Sequence, residues 1–405
     1  MTIPDPNAVV SLEAERLTAL VRRVFRVEEV TWGGENYVVR YRGHLLGDSV
    51  QAYDALAEAL RPLGLTPMFR VEDGRQTVIL VEGVFDPKPS NPWVNLVLFG
   101  LTLLSVLFAG GVYAYQGPMP GVEISWGGFL VDAVKNGLPF AVSLLAILLA
   151  HEFGHYLAGR YHKTHVTLPY FIPFPFSPFG TMGAFIQLKE PPKNKRVLLD
   201  IGIAGPLAGM VVAVPVLLLG LSLSRLDTLP LAAVPGTALS LEGNSILYLL
   251  AKFAVFGKFL PAPASYGGLH PLLYWLRYFF TGRPLPFGGQ DVLLHPVAWA
   301  GWAGLLVTAL NLVPAGQLDG GHVMYVLLGK RVRRLYPFIL AALVLLGMVW
   351  SGWWLWALLL FFLGRVYAEP LDQITSLDPR RRAVAIFGIV LFVLVFTPVP
   401  LILVG

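Results

Sequence analysis

The chain has 405 residues, of which 55% are apolar and only 14% charged. A soluble domain carries about a quarter charged residues, and several apolar runs here reach the roughly 20 residues that cross a bilayer, so a wholly water-soluble protein is excluded. The net charge of +5 comes from basic clusters such as 330–334 and 380–382, and the chain has no cysteine. Basic clusters beside apolar runs mark membrane edges rather than nucleic-acid sites, and disulfides, thiol catalysis and thiolate metal sites are excluded outright.

Residues 1–88 alone have ordinary soluble composition. Ser11 to Val24 reads as an amphipathic helix, and Glu28–Val30 and Tyr37–Tyr41 as strands around a Gly33-Gly34 turn. Asp48 to Leu60 reads as a second helix capped by Asp48 or Ser49. Pro67–Glu72 and Gln76–Val81 alternate like a hairpin across Asp73-Gly74. A small α+β domain is expected, cytoplasmic and regulatory, followed by a stiff proline-rich linker at 89–92.

The remainder, 93–405, is expected to be a polytopic α-helical membrane domain of about seven transmembrane helices. The candidate spans are Trp93–Tyr115, Leu138–Tyr161, Val197–Ser222, Val292–Val313, Leu335–Trp350, Trp353–Tyr367 and Ala383–Leu403. Ser245–Leu260 carries Lys252 and Lys258 and reads as an interfacial helix, with a tilted span as the other reading. Lysines and arginines between spans two and three and after span four put those edges, and the N-terminal domain, in the cytoplasm.

The sharpest motif is His151-Glu152-Phe153-Gly154-His155, inside the second span. Residues four apart share a helix face, so both imidazoles can bind one metal ion while Glu152 serves as general base for a metal-activated water. Ionisable groups inside a span are functional by default, although helix packing or a proton relay would also use them. A catalytic zinc site needs a third protein ligand. The best candidate lies in Asn311-Leu312-Val313-Pro314-Ala315-Gly316-Gln317-Leu318-Asp319-Gly320-Gly321, where Pro314, Gly316, Gly320 and Gly321 should break the helix. Irregular backbone at membrane depth must line a cavity or be buried in protein. Asp319 then needs a cation, and the imidazole pair is where one would be; by itself it would as readily cap the next helix.

The two motifs together resemble the signatures H-E-x-x-H and N-x-x-P-x-x-x-L-D-G of the site-2 protease family of intramembrane zinc metalloproteases, over about residues 92–405. The resemblance implies one Zn²⁺ per chain held by His151, His155 and Asp319, with Glu152 as catalytic base. It implies Asn311 beside the substrate, steadying it or the developing oxyanion. Residues 167–190 are apolar but too rich in proline to span. They read as a re-entrant hairpin whose Gly180–Leu188 edge, with Gly180, Thr181, Gly183 and Phe185, could receive an unwound substrate by strand addition; a plain interfacial hairpin is the other reading. The loop between spans three and four does not read as a PDZ domain, so the resemblance is to the branch without one.

The function expected is hydrolysis of peptide bonds in transmembrane segments of single-span or multi-span membrane proteins, with the lipid bilayer as surroundings and no nucleic acid as partner. A bacterial plasma membrane is the expected location, and a plastid membrane the second choice. A transporter for divalent metal or protons, or an inactive relative that binds membrane proteins, are the alternatives. His322, three residues from Asp319, either supports the metal site or caps a helix. His162 and His165 are expected in solvent, and His270 and His295 in structural roles before proline.

Overall fold

The computed structural model describes residues 6–114, 126–232 and 239–404. Two compact units share the chain. The first contains α1 (Pro6–Arg22), β1 (Phe25–Gly34), β2 (Tyr37–Leu45), α2 (Ser49–Leu60), β3 (Leu65–Glu72) and β4 (Arg75–Glu82). Its four strands form one sheet in the order β1-β2-β4-β3. Asp48 caps α2, its carboxylate accepting from Val50 N and Gln51 N, as the sequence suggested. Asp73 and Gly74 both take positive φ, the conformation that a two-residue hairpin turn needs at its centre. The other turn falls on Glu35-Asn36, because Gly34 still pairs with Tyr37.

This unit recruits chain from far away, namely Leu188–Leu198 and Ala368–Arg381. Segment 371–373 adds to β3 as a further extended piece. Phe69 N donates to Leu371 O at 2.9 Å, and Gln373 N donates to Phe69 O at 3.0 Å. Buried Arg70 donates to Pro370 O and Leu371 O at 3.0 and 2.6 Å. Leu371 lies in the same core as Phe25, Tyr41, Leu56 and Phe69. The sheet edge is thus covered and the core completed by residues some 300 positions later in the chain.

The second unit begins with α3 (Pro92–Ala114) and α4 (Trp126–Tyr161), then the hairpin β5 (Tyr170–Pro173) and β6 (Thr181–Phe185), then α5 (Lys195–Ser222). Next come β7 (Arg225–Thr228), β8 (Leu239–Glu242), α6 (Ile246–Phe256), α7 (Pro271–Thr281) and β9 (Gln290–Leu293). The unit ends with α8 (Pro296–Asn311), α9 (Asp319–Leu328), α10 (Tyr336–Gly347), α11 (Gly352–Leu363), α12 (Pro379–Val395) and β10 (Leu401–Val404). Among the described residues three helices are long and apolar enough to cross a membrane alone, 92–112, 137–161 and 195–222. The other candidate spans are shorter than their apolar runs. Val292 and Leu293 pair with β7 instead of entering α8, and Leu401–Val404 pairs with β8 instead of continuing α12.

Ser245–Leu260 contains α6, and its Lys252 does not face outward as a charge on an interfacial helix would. That side chain is 0% exposed and lies 3.7 Å from Glu242 and 3.8 Å from Asp291. A buried ammonium needs such partners, and they come from strands that the helix's own sequence does not announce. His270 and His295 cap α7 and α8, accepting from Leu272 N and Val297 N. His162 is half-buried and pairs with Asp200 at 2.9 Å; His165 is exposed.

Candidate metal centre

Helix α4 carries His151 and His155 one turn apart, 3% and 6% exposed. The small residues of α5 make room for them. A Cβ on Gly205 would overlap the His155 ring, and one on Gly209 would lie 3.2 Å from His151 Nδ1. Gly154, between the two histidines, meets the Ala204 carbonyl so closely that a Cβ would fall 2.5 Å from its oxygen. His155 Nδ1 donates to Ile201 O at 2.7 Å. That bond fixes the tautomer and turns Nε2 toward the site, the usual outer-sphere device for a metal-binding histidine. Glycines at 202, 205 and 209 repeat on one face of α5. This small-residue stripe, which lets helices approach closely in membranes, is the sequence signal for the space the imidazoles occupy.

After Asn311 the chain leaves the helix, as Pro314 and Gly316 predicted; Gly316 sits at φ +58°. Gly320 and Gly321 do not break structure. They lie in the first turn of α9, where a Cβ on either would strike the carbonyls of Leu312 or Gly316. This close approach brings Asp319 to α4. The N-cap residue of α9 is Leu318, with no side-chain bond, so the capping alternative for Asp319 is not what its side chain does.

His151 Nε2 and His155 Nε2 are 3.2 Å apart. Each faces one Asp319 carboxylate oxygen, at 3.2 and 3.3 Å. A tetrahedral zinc with ligands at about 2.0–2.1 Å separates its donor atoms by about 3.3 Å, so the spacing and the His₂-carboxylate donor set fit that ion. Among the described residues this is the one group of three His, Cys, Asp or Glu placed to hold a metal. Glu152 is 3% exposed, and its Oε2 is buried without a hydrogen-bond partner. A buried carboxylate oxygen left alone costs free energy and is suited to a proton that arrives with substrate or water. Asn311 Nδ2 lies 3.4 Å from His151 Nε2, on the rim of the same site. His322 lies in the first turn of α9, its ring packs over Gly202 and its Nδ1 is buried without a partner.

The hairpin has the expected position in the sequence but a shorter edge, ending at Phe185 rather than Leu188. Tyr170 pairs with Phe185 and Phe171 with Ala184. Thr181 Oγ1 donates to Ile172 O at 2.8 Å and accepts from Gly183 N at 3.0 Å. Gly183 is at φ +98° with open space where a Cβ would be, and Met182 and Phe185 are exposed. β6 has β5 as its only strand partner among the described residues.

The model of Peptidase family M50 matches residues 139–352. A rice protein (Oryza sativa subsp. japonica) named probable zinc metalloprotease EGY1, chloroplastic, is 30% identical over 345 residues, covering 79% of this chain and 53% of its own. The Arabidopsis thaliana protein of the same name is 30% identical over 338 residues, covering 79% and 56%. An A. thaliana protein named probable zinc metalloprotease EGY2, chloroplastic, is 27% identical over 373 residues, covering 89% and 60%. The chain therefore spans between half and two thirds of the length of these relatives.

Proposed function

Since the chain belongs to peptidase family M50, the site-2 proteases, we propose that it is an intramembrane zinc metalloendopeptidase that hydrolyses peptide bonds in transmembrane segments of membrane proteins. The observation that carries this reading is the meeting of His151, His155 and Asp319 around a buried, partnerless Glu152 oxygen. In this proposal His151, His155 and Asp319 hold the zinc. When bound, zinc polarises the substrate carbonyl and lowers the pKa of water. Glu152 takes a proton from the attacking water and delivers it to the leaving amine. Asn311 donates from its amide to the substrate or to the oxygen on which charge develops.

Helical hydrogen bonds shield the carbonyls of a membrane-spanning substrate, so it must unwind first. The β6 edge, with Gly180, Thr181, Gly183 and Phe185, receives the unwound stretch as an added strand. The single strand partner of β6 among the described residues and the open space at Gly183 support this role.

The seven-span arrangement belongs to the same proposal. Helices α8 and α12, with 16 and 17 residues, reach about 24–26 Å. Helices α10 and α11, with 12 each, reach about 18 Å and form a hairpin pair. The N-terminal unit is taken as a cytoplasmic regulatory domain. An integral membrane location follows from the apolar helices. The relatives' printed names say chloroplastic, which favours a plastid-type membrane over the bacterial plasma membrane expected from the sequence.

Purified full-length protein incubated with a single-span peptide tests the function. Cleavage that stops with a chelator and returns with zinc is the expected result. Metal retained with no cleavage of any such peptide would overturn it and favour the transporter alternative.

A further inference from the structure

Helix α3 carries a buried polar stripe, Asn95, Thr102 and Ser105. Spacings of seven and three residues keep the three on one helix face. Polar side chains inside a span are costly without partners, so each partner is informative. Thr102 bonds back to its own helix, donating to Leu98 O at 2.8 Å. The other two reach the hairpin. Asn95 Nδ2 donates to Leu168 O and Pro169 O, both at 2.9 Å. Ser105 Oγ donates to Gly180 O at 2.6 Å.

One helix face therefore grips the hairpin backbone at two places, just before β5 and just before β6. Between them Phe99 meets Phe171 edge-on at 5.1 Å. At Gly180, φ is +73°, and a Cβ would lie 2.5 Å from Ser105 O and 2.6 Å from Val106 Cα. Backbone meets backbone there, and β6 begins at the very next residue. Within the turn, Phe179 packs on the stacked Trp299–Trp302 pair of α8 at 5.7 and 6.2 Å. An open groove borders this face beside Asn95, lined by Phe99, Phe153 and Phe171 among others. The polar bonds tie the hairpin backbone to α3 at both ends.

We infer that Asn95 and Ser105 are positioning residues that set the height of the β6 edge along α3 and thereby choose which bond of an added substrate strand is cut. The inference rests on the peptidase reading of the same site. A strand advances about 3.3 Å per residue, so a shift of the edge by that much offers the neighbouring bond instead. Both residues act through backbone carbonyls of the hairpin and touch neither the zinc ligands nor Glu152.

The test uses full-length protein in lipid nanodiscs with a single-span peptide, products identified by mass. Wild type is expected to cut mainly at one bond. Ser105→Ala and, independently, Asn95→Leu are expected to spread cleavage to bonds one or two residues away. They should lower kcat on the order of 10- to 100-fold with KM little changed. Zinc content should stay at the wild-type level, and Ser105→Thr should restore the single bond. Amide exchange across 170–185 should rise in both loss-of-bond variants, a readout that needs no activity. Native cleavage position with native exchange in both variants would overturn the inference and leave the peptidase reading intact. A wild type that holds zinc and cuts nothing would overturn both.

Discussion

Glu152 is the residue whose surroundings say most about its work. It sits on the helix that carries both imidazoles, buried to 3% exposure, with one oxygen unsatisfied. Stability alone would favour an apolar side chain there. Glu152→Gln keeps the shape and removes the proposed base. The variant is expected to bind zinc as wild type does and to lose 10²- to 10⁴-fold in kcat, read from metal content and peptide cleavage on one preparation. Native turnover in this variant would remove Glu152 from the mechanism. That His151, Glu152, His155 and Asp319 would meet was legible in the sequence because the first three sit at helical spacing and because Asp319 lies in a stretch that cannot span as a helix. The glycines that make the site possible were not. A glycine at 205 reads as a packing residue until His155 is known to occupy the space a Cβ would take.

At the scale of elements, the first five helices and the N-terminal sheet follow patterns that a sequence displays: period, caps and turn residues. The short strands that were missed are held by distant partners, whereas α7 was missed although His270, Pro271 and Gly282 mark its ends. β8 and β10 are four residues each and exist because they pair with one another across 160 positions of chain. Lys252 reads as an interfacial charge because Glu242 and Asp291, which surround it, lie on separate short strands. Burial, and next to it the Asp291 charge, raise the Glu242 pKa to about 7 against the attraction of Lys252. The folded state therefore keeps a proton that the unfolded state, with a carboxyl near 4.5, has lost. The stability this supplies is complete below about pH 4.5 and is lost as pH rises through about 7. Glu242→Gln mimics the protonated form. Its thermal midpoint should match wild type near pH 5 and exceed it progressively toward pH 8; a gap that shrinks with rising pH would contradict the assignment.

At the scale of the molecule, the N-terminal unit is completed by later chain. Leu371 is buried in its core, and Arg70 is buried against the Pro370 and Leu371 carbonyls. Composition set residues 1–88 apart as soluble but could not reveal that β3 borrows its outer neighbour from 371–373. Leu371→Ala should cost about 2–5 kcal/mol in this unit, seen as faster amide exchange in β3 and β4. Exchange unchanged there would mean that the segment is dispensable.

The whole account depends on three side chains from two distant stretches sharing one ion. Metal analysis of wild type beside Asp319→Ala tests that most directly. One zinc per chain in wild type and its loss in the variant, with the fold retained by circular dichroism, is the predicted result. Zinc held equally by both proteins, or by neither, would contradict the account.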